Sequence, residues 1–111
     1  MLNSSDRSAF EYLLKSILLL ENEKEAEDFL DDICTVPEIK AITQRLQVAR
    51  MLYNNCVYTD IVEQTGASTA TISRVNRTLN DERQINGKGY HLILERMGER
   101  PPENTKKGRN K

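Results

Sequence analysis

The stretch from Tyr58 to Leu79, YTDIVEQTGASTATISRVNRTL, limits what this chain can fold into more than any other. Apolar residues recur at helical spacing in two short blocks, with Thr65-Gly66-Ala67 between them. Gly66 can take a positive φ without steric cost, as the C-terminal end of a helix commonly requires. Ser68 suits an N-cap, because its hydroxyl accepts from free N–H groups of the turn that follows. Ile61, Val62 and Thr65 share one face of the first helix; Ile72, Val75 and Leu79 share one face of the second. Packed across the turn, these faces make a helix-turn-helix over residues 58–79.

The run from Ser68 to Asn80 holds Arg74 and Arg77 and no carboxylate. A solvated helix ordinarily mixes both signs of charge, so this face favours a polyanion. Small hydroxyl residues near its start allow close approach to a groove. Arginines a turn or two later reach phosphates or the O6/N7 edge of guanine. The expected partner is double-stranded DNA, and the candidate contact residues are Thr59, Ser68, Thr69, Ala70, Thr71, Ser73, Arg74 and Arg77. An ordinary helix hairpin in an all-α core is the plainer reading of the same pattern.

Charge is distributed unevenly. Residues 1–66 carry 6 Lys/Arg against 12 Asp/Glu, and residues 67–111 carry 10 against 5. The basic excess therefore begins with the second helix of the motif, which again points to a polyanion. At 111 residues one domain is the natural expectation, here residues 1–98. Residues 99–111 contain two prolines, five basic side chains and no large apolar residue, and are expected to be a disordered basic tail. Plain solubility and non-specific phosphate attraction are equal readings of that tail.

Other classes find little support. Cys34 and Cys56 form no CxxC pair, and with His91 as the single histidine they give no zinc spacing. No catalytic motif, phosphate-binding glycine loop or His/Cys pairing is present, so neither an enzyme nor a cofactor is expected. The longest apolar run, Ile17–Leu20, is far too short for a membrane span and is no signal peptide. A soluble, reduced, cytoplasmic protein is the expected setting.

Four further helices are expected. The first runs from Ser4 to Leu20, capped by Ser4 or Ser5, with Asp6 near its positive end. Phe10, Leu13, Leu14, Ile17, Leu18 and Leu20 spread over more than one stripe, widened by Tyr12 and Leu19. Such a helix needs cover on several sides, and a second subunit is the simplest source. The next, Glu23 to Ile33, should bury Ala26, Phe29, Leu30 and Ile33. It exposes Glu25, Asp28, Asp31 and Asp32 as a solvated face, not a metal site. Thr35-Val-Pro-Glu38 opens a third helix, with Pro37 in the first turn. It runs to about Asn54 with Ile39, Ile42, Leu46, Ala49, Leu52 and Tyr53 on its apolar face. The last, about Tyr90 to Met97, offers Leu92, Ile93 and Met97 for burial and stops at Gly98.

Thr35-Val-Pro-Glu, Ala41-Ile-Thr-Gln-Arg45 and Gly66-Ala-Ser-Thr-Ala-Thr-Ile-Ser-Arg74 resemble the Trp repressor superfamily, nearest to its bacterial YerC/YecD group. The likeness covers roughly residues 10–98. It implies an all-α, six-helix fold and an intertwined homodimer that places two reading helices in successive major grooves. It also implies a possible effector pocket of Thr35, Arg45, Arg74 and Thr78. Asp32 and Cys34 stand where the repressor has apolar residues, and Val75 stands where it has glycine, so tryptophan binding is not expected. The combined expectation is a homodimeric, tryptophan-independent regulator of transcription, most simply a repressor. The alternative is a helical protein-interaction module whose acidic first half takes the partner.

Overall fold

A computed structural model describes residues 2–99, so the tail beyond residue 99 lies outside the described residues. Six α-helices follow one another: α1 (Ser4–Leu18), α2 (Glu23–Ile33), α3 (Val36–Tyr53), α4 (Tyr58–Thr65), α5 (Thr69–Leu79) and α6 (Lys88–Arg96). No strand occurs among the described residues. The chain divides into two compact units, residues 1–39 and the chain from residue 40.

In the first unit, α1 is capped by Asn3, whose Oδ1 accepts from the Asp6 N–H at 2.8 Å. The serines expected in that role fall inside the helix, since asparagine caps equally well one residue earlier. α1 also ends two residues before Leu20, in a tightened turn where the Leu19 and Leu20 N–H groups reach back to Ser16 and Ile17. Asn22 caps α2 through the Glu25 N–H at 2.9 Å, and the Glu25 carboxylate accepts in return from the Glu21 N–H. Thr35 and Glu38 open α3 with a reciprocal pair. The Thr35 N–H donates to Glu38 Oε1 at 2.8 Å and the Glu38 N–H to Thr35 Oγ1 at 3.2 Å.

Neither α1 nor α2 contains a buried residue. Leu18 is 83% exposed and Leu19 77%, and Leu30 and Ile33, expected to be buried, are exposed. Ala26 and Phe29 are half-buried. These apolar stripes are real in the sequence, but the first unit by itself does not cover them.

The second unit has its own core: Val48 and Ala49 of α3, Ile61 of α4, Ala67 of the turn, Ile72, Val75 and Leu79 of α5, and Leu94 of α6. Ile61 and Ile72 are fully enclosed, each contributing roughly 1.5–3 kcal/mol. α3 turns inward only part of the face expected: Ala49 is buried and Leu52 and Tyr53 pack against the core. Val48 and Ala49 are buried while Ile42 and Leu46 stay exposed, because apolar residues nearly encircle this helix and its partners choose the face. α6 differs in the same way. It starts at Lys88 and buries Leu94, with Tyr90 one turn earlier half-buried; Leu92, Ile93 and Met97 are exposed. His-Leu-Ile-Leu offers two helical phases, and packing on α5 selects the one with Leu94.

The helix ends follow their local chemistry. Asn55, at φ 63°, turns the chain after α3. Gly98, at φ 86°, ends α6 with the Glu99 N–H on the Leu94 carbonyl and the Gly98 N–H on that of Glu95.

Candidate nucleic-acid interface

α4 and α5 meet through a turn that its own side chains close. Gly66 takes φ 73° after α4. Thr65 Oγ1 donates to the Ile61 carbonyl at 2.7 Å and accepts from the Ala67 N–H at 3.1 Å, which sets Ala67 down into the core. Gln44 of α3 donates through Nε2 to the Thr65 carbonyl at 3.2 Å, tying the turn to the preceding helix. Ser68 Oγ accepts from the Thr71 N–H and starts α5, as expected.

With Ile72, Val75 and Leu79 inward, the geometry of α5 settles which residues point away. Ala70, Ser73, Arg74 and Arg77, spaced i, i+3, i+4 and i+7, form one outward stripe. Ala70 and both arginines are exposed, and Ser73 is half-buried. Neither Arg74 nor Arg77 is in an ion pair among the described residues. Thr69 and the exposed Ser68 lie at the leading end, and Thr59 is exposed in the first turn of α4.

Two candidate residues sit on a different side. Thr71 is half-buried, its hydroxyl accepting from Ser68 Oγ at 3.1 Å. Thr78 Oγ1 donates to the Arg74 carbonyl at 3.3 Å. Both line a groove of ≈ 570 Å³ with Ala41, Gln44, Arg45, Arg74, Val75 and Tyr90. Arg45, Arg74 and Thr78, three residues of the possible effector pocket, therefore share one wall system. Val75 is almost wholly buried in the core and shows the groove only an edge. Thr35, the fourth, belongs to the first unit, where it caps α3.

A second, wider basin of ≈ 650 Å³ lies at the end of α5 and includes Arg74, Arg77, Arg83 and Asn86. Arg83 and Asn86 were no part of the expected site. The polar run Asn80–Gly87 reads as a loop, and only its folded geometry turns these side chains toward the helix. Among the described residues, no three His, Cys, Asp or Glu side chains are grouped to hold a metal, and no helix is long and apolar enough to cross a membrane.

The family model for the Trp repressor protein matches residues 8–97. The chain is 45% identical over 95 residues to YerC of Bacillus subtilis, itself uncharacterised, covering 86% of this chain and 88% of YerC. Two solved structures share the fold with TM-scores of 0.77. One is a candidate Trp repressor from Staphylococcus aureus, 45% identical, aligned over 86% of this chain and 91% of that one. The other is a TrpR-like protein from Eubacterium eligens, 47% identical, aligned over 86% and 94%.

Proposed function

The chain belongs to the Trp repressor protein family, and on that premise we propose that it is a sequence-specific, double-stranded-DNA-binding regulator of transcription. α5 is the reading helix. The observation that carries this is the outward stripe Ala70, Ser73, Arg74 and Arg77, with two guanidiniums that have no ion-pair partner among the described residues, on a helix with no carboxylate. Small side chains at Thr69, Ala70 and Ser73 let the backbone close on base edges, and Arg77 meets the phosphates.

The regulator acts as a cytoplasmic homodimer and as a repressor. α1 and α2 leave their apolar stripes uncovered within the first unit, and a second copy supplies the cover and a two-fold pair of reading helices. Tryptophan is not needed, because the groove beside Arg45 and Arg74 is walled mainly by polar groups.

The test is binding to duplex DNA across a salt series. Affinity that falls steeply as salt rises supports the proposal. A protein partner retained at high salt, with no binding to duplex DNA, would favour the interaction-module reading instead.

A further inference from the structure

The loop from Asn80 to Gly87 is built around one carboxylate. Asp81 Oδ1 accepts from the Arg83 backbone N–H at 3.0 Å and from Arg83 Nε at 3.1 Å. Its Oδ2 accepts from the Asn86 backbone N–H at 3.0 Å and from Asn86 Nδ2 at 3.2 Å. The Asp81 side chain is only 8% exposed, whereas that of Arg83 is 70% exposed. The negative charge is thus turned into the loop and the positive one outward.

This arrangement sets Arg83 beside the two unpaired arginines of α5 on the wall of the basin at the helix end. The end of a helix carries free carbonyls that repel anions, but two of the last four are occupied here. The Leu79 carbonyl accepts from His91 Nε2 and the Asn76 carbonyl from the Asn80 N–H. The Thr78 carbonyl lies against Gly87, so close that a Cβ there would stand 2.4 Å from it. Guanidinium and amide groups face the basin, beside the Asp81 carboxylate that the loop engages. Its remaining carboxylate is Glu82 on the rim.

We propose that this basin seats a phosphate of the DNA backbone, held by Arg77 and Arg83 with Asn86 as a further donor. The inference rests on the reading of α5 as a DNA-binding helix. It commits to the backbone because the basin continues the stripe of Arg74 and Arg77: a strand that runs along the stripe meets Arg83 next. Planar guanidiniums suit phosphate oxygens, and paired donors hold them better than a single charge does. The contact adds affinity and fixes register without reading sequence.

The experiment measures binding of the full chain to a random-sequence 30-base-pair duplex by fluorescence anisotropy over a salt series. Each phosphate contact contributes ~0.9 to the slope of log affinity against log salt. Arg83→Gln is expected to flatten that slope by about one contact per subunit and to weaken different duplexes alike. Arg96→Gln, a charge loss elsewhere on α6, is expected to leave the slope as it was. Glu82→Gln keeps all four hydrogen bonds of Asp81 and is expected to tighten binding, which tests the basin even if Arg83→Gln misfolds. Wild-type binding with an unchanged slope in Arg83→Gln, or unchanged affinity in Glu82→Gln, overturns the basin and leaves the reading of α5 standing. Absence of duplex binding by the wild type overturns both. Calorimetric binding of pyrophosphate that is lost in Arg83→Gln, with DNA binding unaffected, would assign the basin to a free phosphorylated ligand and overturn the backbone assignment.

Discussion

His91 Nε2 lies 2.8 Å from the carbonyl oxygen of Leu79, the last residue of α5. A carbonyl only accepts, so His91 carries a proton on Nε2 and donates it. Its ring also meets Tyr53 edge to face, with centroids 5.7 Å apart. One side chain of α6 thus joins the ends of α3 and α5. His91→Ala is expected to cost about 1–3 kcal/mol, since it removes the bond and leaves a half-buried acceptor poorly served. Urea denaturation would show this as a lower midpoint with an unchanged slope.

Asp81 gives a pH dependence of known sign. The hydrogen bond from the Arg83 side chain is the largest cause, followed by those from the Asn86 and Arg83 backbones, and together they hold the carboxyl well below its usual 3.8. A depressed carboxylate stabilises the fold fully above its unfolded value, and that contribution fades as pH falls through the folded value. Asp81→Asn is therefore expected to be less stable than the wild type at pH 7. The difference should shrink progressively as the pH falls below 3.8, which denaturation at stepped pH would record.

On the outward stripe of α5, removal of a proposed base-reading group and removal of a proposed phosphate contact should look different. Ser73→Ala is expected to relax preference at one base pair, with a loss of about 1–3 kcal/mol on the preferred sequence. Arg77→Ala is expected to weaken all duplexes alike. Competition binding on a selected site and its single-base variants separates the two.

Leu18 and Leu19 report on assembly. If a second copy covers α1, the unfolding midpoint rises with protein concentration. Leu18→Asp is expected to abolish that rise and to shift sedimentation toward the monomer. A folded, cooperative wild-type monomer at micromolar concentration would refute the homodimer.

Addition of L-tryptophan is expected to leave DNA affinity unchanged. A ligand shifts an equilibrium only by its differential affinity for the two forms. The groove offers an indole little apolar wall, with Ala41, the edge of Val75 and Tyr90 set among Gln44, Arg45, Thr71, Arg74 and Thr78. Micromolar affinity in calorimetry, together with tighter DNA binding, would show the opposite.

The helix-turn-helix was legible because its determinants are local. Gly66 needs only its own φ, Ser68 only its own hydroxyl, and the stripe of Ile72, Val75 and Leu79 only helical spacing. The faces of α3 and α6 were not, since Val48 and Leu94 are selected by what they pack against and not by the pattern around them. Thr71 looked like any other hydroxyl of α5. Its bond with Ser68 and its place in the groove separate it from Ser73. Arg83 and Asn86 were hidden for a further reason: their positions depend on a hub, Asp81, that exists only once the loop is closed.

Surface loops usually tolerate added residues at little thermodynamic cost. The loop between α5 and α6 is an exception, because both of its ends are pinned. Asp81 holds Asn86 five residues on, and Gly87, at φ 88°, rests against the Thr78 carbonyl with no room for a side chain. One extra residue must bulge outward at the exposed positions 82–85; otherwise it parts Asp81 from Asn86 or lifts Gly87 off the helix. Either of these last changes would shift the start of α6, the helix that carries Leu94 into the core. With both ends pinned, the span from Asp81 to Gly87 serves as a ruler for the phase and placement of α6.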